Sequence, residues 1–358
     1  MGSVYKQLFT QETITSLEGA SDEEVFLFII QNFKIDQKSH AKHPVNLSTL
    51  SDDDFIHLTR FTSRDIWKIT DLLKLPYKIQ TPSRYSFTSH EGFFILFCRL
   101  AWPSRLETLS LLLGWSVSQL SECFNWMLKF IDEEWGFLLC DFESGLLGEE
   151  RLRFFAKVIF EKGKALKNCW GFIDCTIRGI CRPTLWQRTA YNGHHKHHAV
   201  KYSAVKCPDG LIYHLYGPVE GRRNDNMLLR ESGLLERLKN HASFFCLYGD
   251  PAYPVSQVLC SLVSRLELGI AEKEFNRRMS SCRECVEWGF ADIIRLWAYL
   301  DYDKGQELFK TAIGRQYRVG TLLTNIHICL YGSETSLYFN CTPPLLCTYL
   351  NLKNKKSI

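Results

Sequence analysis

The sequence predicts an α/β protein, a mixed sheet with flanking helices preceded by a small all-α domain. Three observations point there. Capped segments of helical spacing follow one another between Ser51 and Phe130. After Gly145 and Gly148 the pattern changes to short β-rich runs divided by turn residues. Those strands then alternate with helical stretches, the pattern of a sheet covered by helices. The boundaries expected are an N-terminal extension at 1–45, a helical, helix-turn-helix-like domain at 46–148, an α/β domain at 149–346 and a C-terminal tail at 347–358.

Taken in order, Glu23 to Phe33 could form one helix, and the Lys- and His-rich stretch Lys34 to Pro44 reads as a linker. Ser51-Asp52-Asp53-Asp54 is a helix start, with a serine N-cap and acids on the first turn. Phe55, Leu58 and Phe61 follow at helical spacing. Thr62 or Ser63 could cap a second helix carrying Ile66, Ile69, Leu72 and Leu73, ended before Pro76. A third runs from Ser89 through Leu100. Arg105 to Leu113, Gly114-Trp115 and Ser116 to Phe130 form a helix–turn–helix pair. A DNA-binding helix-turn-helix fits that arrangement and so does any small helical bundle, since few Lys or Arg lie on the second helix.

Leu152 to Lys167 has helical spacing. Trp170 to Asp174 reads as a buried strand ending on a carboxylate. Ala199 to Lys206, the turn Pro208-Asp209-Gly210 and Leu211 to Tyr216 read as a hairpin. Asn226 to Leu238 is expected to be helical, Phe244 to Tyr248 to be a strand ending at Gly249-Asp250, and Glu272 to Leu300 to be one long helix.

Composition sets bounds on function. A hydrophobic fraction of 46% and a charged fraction of 23% are those of a globular protein. The net charge of +4 is too mild to assert nucleic-acid binding by itself. Fourteen cysteines lie scattered without the spacing of a disulfide scaffold, which suits buried thiols in an intracellular protein. The single CxxC, Cys282 to Cys285, reads as two helix residues. No signal peptide and no apolar run of membrane-spanning length is expected.

Four acids sit at punctuated positions: Asp174 and Asp250 at strand ends, Asp225 after Gly221-Arg222-Arg223-Asn224, and Glu287 within the long helix. Arg283, one turn before Glu287, can orient it. Brought together, the carboxylates would repel unless a cation neutralised them, and all-oxygen ligation suits Mg²⁺ or Mn²⁺. Two such ions about 3.5–4 Å apart stabilise both the attacking and the leaving oxygen of phosphodiester displacement. The alternative is four unrelated surface acids. Lys201, Arg222 and Arg223 could contact phosphates. The run Gly193-His194-His195-Lys196-His197-His198 suits a DNA-facing or hydrogen-bonded hairpin edge better than a dedicated metal site.

From Gly171 to Pro344 an ordered set of motifs resembles the DDE superfamily endonuclease domain of PIF/Harbinger transposases, including the Harbinger transposase-derived nucleases. It includes Gly171-Phe172-Ile173-Asp174-Cys175-Thr176, Arg182-Pro183, Tyr191-Asn192-Gly193-His194, His198-Ala199-Val200-Lys201-Tyr202 and Pro208-Asp209-Gly210-Leu211-Ile212. It continues through Gly221-Arg222-Arg223-Asn224-Asp225, Gly249-Asp250-Pro251-Ala252-Tyr253-Pro254, Arg283, Glu287, Phe290 and Leu323-Thr324-Asn325. The resemblance implies an RNase H-like fold with Asp174 on its first strand, Asp250 after its fourth and Glu287 on a following helix. These three would be catalytic, and with Asp225 they would bind Mg²⁺ or Mn²⁺ and cut DNA. Three departures stand out: Cys175 replaces the usual Gly, Asn224 replaces His or Ser, and Arg295 supplies the expected basic residue beyond Glu287 at imperfect spacing. A Myb-like DNA-binding partner protein, self-association, a nuclear location with the cytoplasm as second compartment, and no membrane association also follow. Two competing expectations remain: a domesticated, catalytically silent binding protein that keeps DNA or partner contacts, and a metal-dependent RNase or phosphatase.

Overall fold

The computed structural model describes residues 43–140, 146–263 and 267–350. The expected helix at Glu23 to Phe33 lies outside them, as do most of the N-terminal extension and of the C-terminal tail. From Pro44 on, the described residues form one compact unit.

The helical region begins with α1 (Asp52–Thr59), whose Ser51 N-cap is locked to Asp54 in a capping box. Thr62 caps α2 (Ser63–Leu72). A short antiparallel hairpin, β1 (Lys78–Gln80) and β2 (Ser86–Thr88), follows. Its three-residue strands carry too little pattern to be seen in the sequence. Thr88 then starts α3 (Ser89–Ala101) with a second capping box. α4 (Leu106–Leu113) ends at Gly114, and Ser116 caps α5 (Val117–Trp135). Leu120, Phe124, Met127, Leu128, Ile131 and Trp135 form the buried stripe of α5. Ser118, Asn125, Lys129 and Glu133 are exposed, so its outward face carries only one cation.

α6 (Glu149–Gly163) leads into the sheet, and the one-turn helix α7 (Gln187–Ala190) lies between two of its strands. The strands are β3 (Cys169–Gly179), the two-residue β4 (Tyr191–Asn192), β5 (His197–Lys206), β6 (Ile212–Glu220), β7 (Cys246–Gly249) and β8 (Leu259–Ser261). Their order is β6-β5-β3-β7-β8, with β4 also lying against β5. β6, β5 and β3 pair antiparallel, while β3, β7 and β8 pair parallel. This mixed sheet with flanking helices is the RNase H-like fold that the resemblance implied.

Two helical expectations are corrected. The segment Asn226 to Leu238 is two helices, α8 (Asp225–Glu231) and α9 (Leu234–His241). Gly233 between them has φ +64°, a left-handed conformation that glycine adopts without strain. The long helix, α10, runs Ile270–Leu296 and gives way to a 3-10 turn at Ala298–Asp301. After it come α11 (Ile313–Tyr331), α12 (Glu334–Tyr338) and α13 (Leu346–Leu350).

The helical region and the sheet region share a core. Phe97 of α3 stacks on Trp297 at 5.8 Å between ring centroids. Asp132 of α5, with its side chain only 9% exposed, accepts hydrogen bonds from Arg318 at 2.8 and 2.6 Å and from Arg315 at 3.2 Å, both on α11. Among the described residues no helix is long and apolar enough to cross a membrane.

Candidate active site

Sheet register brings the two strand-borne acids together. β3 and β7 are parallel, with Gly171 opposite Leu247 and Phe172 opposite Tyr248. Two residues further along each chain stand Asp174 and Asp250. Asp174 is not a strand end, as the sequence suggested. β3 continues to Gly179 because β5 accompanies it, pairing Asp174 with Ala204 and Gly179 with Ala199. β7 stops at Gly249, so beyond Phe172 β3 runs on without a paired neighbour on that side.

Asp250 is held in a tight turn. Its Oδ1 accepts from the Ala252 N–H at 3.0 Å. Gly249 permits the turn to close, because a Cβ there would lie 2.5 Å from Cδ2 of Tyr253 and 3.0 Å from Ile173. Side chains alternate along β3. Asp174 meets α10, whereas the next residue, Cys175, meets the Tyr253 hydroxyl at 3.3 Å. Burial pushes the Cys175 thiol up to about 12, which keeps it protonated at neutral pH.

Glu287 reaches the acids through Arg283. The guanidinium donates to Oδ2 of Asp174 at 2.6 Å and to Oε1 of Glu287 at 3.2 Å. The spacing of Arg283 and Glu287 was legible as one helical turn, but the bond to Asp174 depends on how α10 packs over the sheet. Asp225, the first residue of α8, is paired with Lys201 of β5, whose ammonium also donates to the Arg223 carbonyl at 3.2 Å.

The charges of Asp174, Asp250 and Asp225 influence one another. Burial raises the Asp174 carboxyl from 3.8 to about 6. Arg283 and the Cys175 N–H oppose that rise, and the negative charges of Asp250 and Asp225 add to it. Asp250 is raised as well, first by burial and then by Asp225, while the Ala252 N–H, Arg283 and Lys201 oppose the rise. Among the described residues no three His, Cys, Asp or Glu side chains stand close enough together to hold a metal ion. The donors are nevertheless all carboxylate oxygens. That chemistry fits a hard divalent cation.

The remaining expected site residues are distributed differently. Lys201 is not a surface cation for phosphate, because it is buried against Asp225. Arg223 is engaged by Glu220 at 2.8 Å and by Glu231. Arg222 is exposed. Arg295 pairs with Asp292 at 2.6 Å and with Glu334 at 3.3 Å, which directs it away from Glu287. The histidine run is a hairpin edge. Asn192 Oδ1 accepts from the N–H groups of His194 and His195 at 3.0 and 2.9 Å, and β4 pairs with His197 and His198. Cys282 and Cys285 are buried helix residues.

A cavity of about 590 Å³ opens between α8 and α9, lined in part by Asn224, Asn226, Arg230, Glu236, Lys239 and Pro254. Asn224 and Asn226 flank Asp225 in sequence, but neither Asp225 nor Asp250 lines the cavity.

Residues 173–325 match the family model of the DDE superfamily endonuclease. The matched segment begins one residue before Asp174 and takes in Asp225, Asp250 and Glu287. It supports a transposase-like nuclease domain in this part of the chain. Searches of curated proteins and of solved structures found no match.

Proposed function

We propose that this chain is a divalent-metal-dependent DNA endonuclease of the PIF/Harbinger transposase type. The observation that carries the reading is the register that carries Asp174 and Asp250 to the same level of adjacent parallel strands, with Glu287 tied to Asp174 through Arg283. Asp174 and Asp250 would hold Mg²⁺ or Mn²⁺, Glu287 would complete the ligand set and Asp225 would assist. The ions would supply Lewis acidity, activating water and neutralising charge on the leaving oxygen.

The chain's own part is to position and to neutralise. Burial makes the Asp174 carboxylate dependent on positive charge at neutral pH. The Asp250 turn is fixed by the Ala252 N–H. The exposed Arg222 and the cavity residues Arg230 and Lys239 offer cations to a phosphate backbone passing the acids. The overall reaction is attack of water on a phosphodiester, with release of a 3′ hydroxyl. A nuclear location, a Myb-like DNA-binding partner and self-association belong to the same proposal.

A second reading, a catalytically silent domesticated protein, draws on the ion pairs that occupy Asp174, Glu287 and Asp225. The test is competition among supercoiled plasmid DNA, RNA and a small phosphoester, with Mg²⁺, Mn²⁺ or chelator. Metal-dependent nicking of the plasmid is expected. Preference for RNA or the phosphoester would move the substrate class, and DNA binding without any cutting would favour the silent protein.

A further inference from the structure

Each candidate ligand already has an oxygen engaged. Asp174 Oδ1 accepts from the Cys175 N–H at 2.8 Å and its Oδ2 from Arg283 at 2.6 Å. Glu287 Oε1 accepts from the other arm of the same guanidinium. Asp225 Oδ1 is taken by Lys201. Both cations are sheltered, with Arg283 and Lys201 side chains 19% and 11% exposed, and Asp174 and Asp225 at 15% and 16%. These are therefore not solvent-screened surface pairs of negligible strength.

Arg283 is not a fully satisfied bridge. Its Nε is buried and makes no hydrogen bond. A buried donor left unmet is costly, so this arrangement holds the guanidinium less firmly than its two ion pairs alone would.

We propose that Arg283 and Lys201 act as an internal pair of counter-cations that keep the acidic site closed until a divalent ion displaces them. This rests on the metal-dependent reading above. It fits the finding that, among the described residues, the acids do not stand three together in a ligand cage. The fixed cations compensate the charge piecewise, Arg283 between Asp174 and Glu287 and Lys201 at Asp225. Arg283 and Lys201 are thus positioning residues. Metal entry must break their ion pairs, and the freed guanidinium then lies beside the acids where a phosphate would arrive.

The test is Mn²⁺ binding, alone and without DNA, by isothermal titration calorimetry at about pH 8, where carboxylates of raised pKa are ionised. Wild type should bind, and Asp250→Asn should lose the heat. Arg283→Gln should bind Mn²⁺ about tenfold tighter, since a charged hydrogen bond no longer competes. Arg283→Lys, which keeps the competing charge, should stay near the wild-type affinity. Lys201→Gln provides an independent reading at Asp225 and should also tighten binding. Unchanged or weaker binding in both Gln variants, with wild type still binding, would overturn the latch and leave the metal site standing. Absence of Mn²⁺ binding in every variant would overturn both.

Discussion

Replacing Asp174 with Asn should change how stability depends on pH. Burial raises this carboxyl from 3.8 to about 6 in the folded protein, against the pull of Arg283. Between those values the native chain holds the proton more tightly than the unfolded chain does. Stability therefore falls as pH rises through this window, because the unfolded state binds fewer protons there. Integrated from roughly pH 4.5 to pH 7.5, the loss is about 2 kcal/mol. Other groups titrate nearby. Burial lowers His214 to about 3 and His327 to about 4, so they act in the opposite direction and remove stability as pH falls below 6.5. They are present in both proteins and cancel in the difference. The assay is denaturant unfolding of wild type and Asp174→Asn in chelator across that range. Wild-type stability relative to the variant should fall by about 2 kcal/mol as pH rises. A difference that stayed flat, or rose with pH, would mean that Arg283 outweighs burial, and the account of Asp174 as a charge-frustrated carboxylate would fail.

Three further outcomes are expected. Asp132→Ala should destabilise the protein by about 2–3 kcal/mol in equilibrium unfolding, because it strips Arg315 and Arg318 of charged hydrogen bonds that join α5 to α11. Ser116→Ala should cost about 1 kcal/mol by removing the N-cap of α5, read in the same experiment. Arg222→Ala should weaken DNA binding similarly across sequences and lower the slope of log K against log salt by about 0.9, as expected for one phosphate contact on duplex DNA.

Local chemistry made much of the fold legible. Ser51, Thr62 and Ser116 are N-caps, and Pro208-Asp209-Gly210 links β5 to β6. The extent of β3 was not legible, because the partner that carries it past Asp174 lies some thirty residues away in β5. Nor was α11 marked as a helix. Its buried residues include Tyr317, Thr321, Thr324 and Asn325, so it is enclosed around its circumference and lacks the one-sided stripe that announces a surface helix. At the site, the acids could be picked out by punctuation and by family resemblance. Their cations could not. Lys201 read as a surface charge, and only the fold shows that β5 buries it against Asp225. The link from Arg283 to Asp174 spans 109 residues and no pattern of spacing encodes it.

The central claim is that the carboxylates at Asp174, Asp250 and Glu287 cut DNA together. The most direct measurement is nicking of supercoiled plasmid in Mn²⁺ by wild type, Asp174→Asn, Asp250→Asn and Glu287→Gln, each confirmed folded by a cooperative melt. Nicking by wild type that chelator stops, and its loss in all three variants, is the predicted result. Wild-type activity in any one variant would contradict the role given to that residue, and activity in all three would contradict the site.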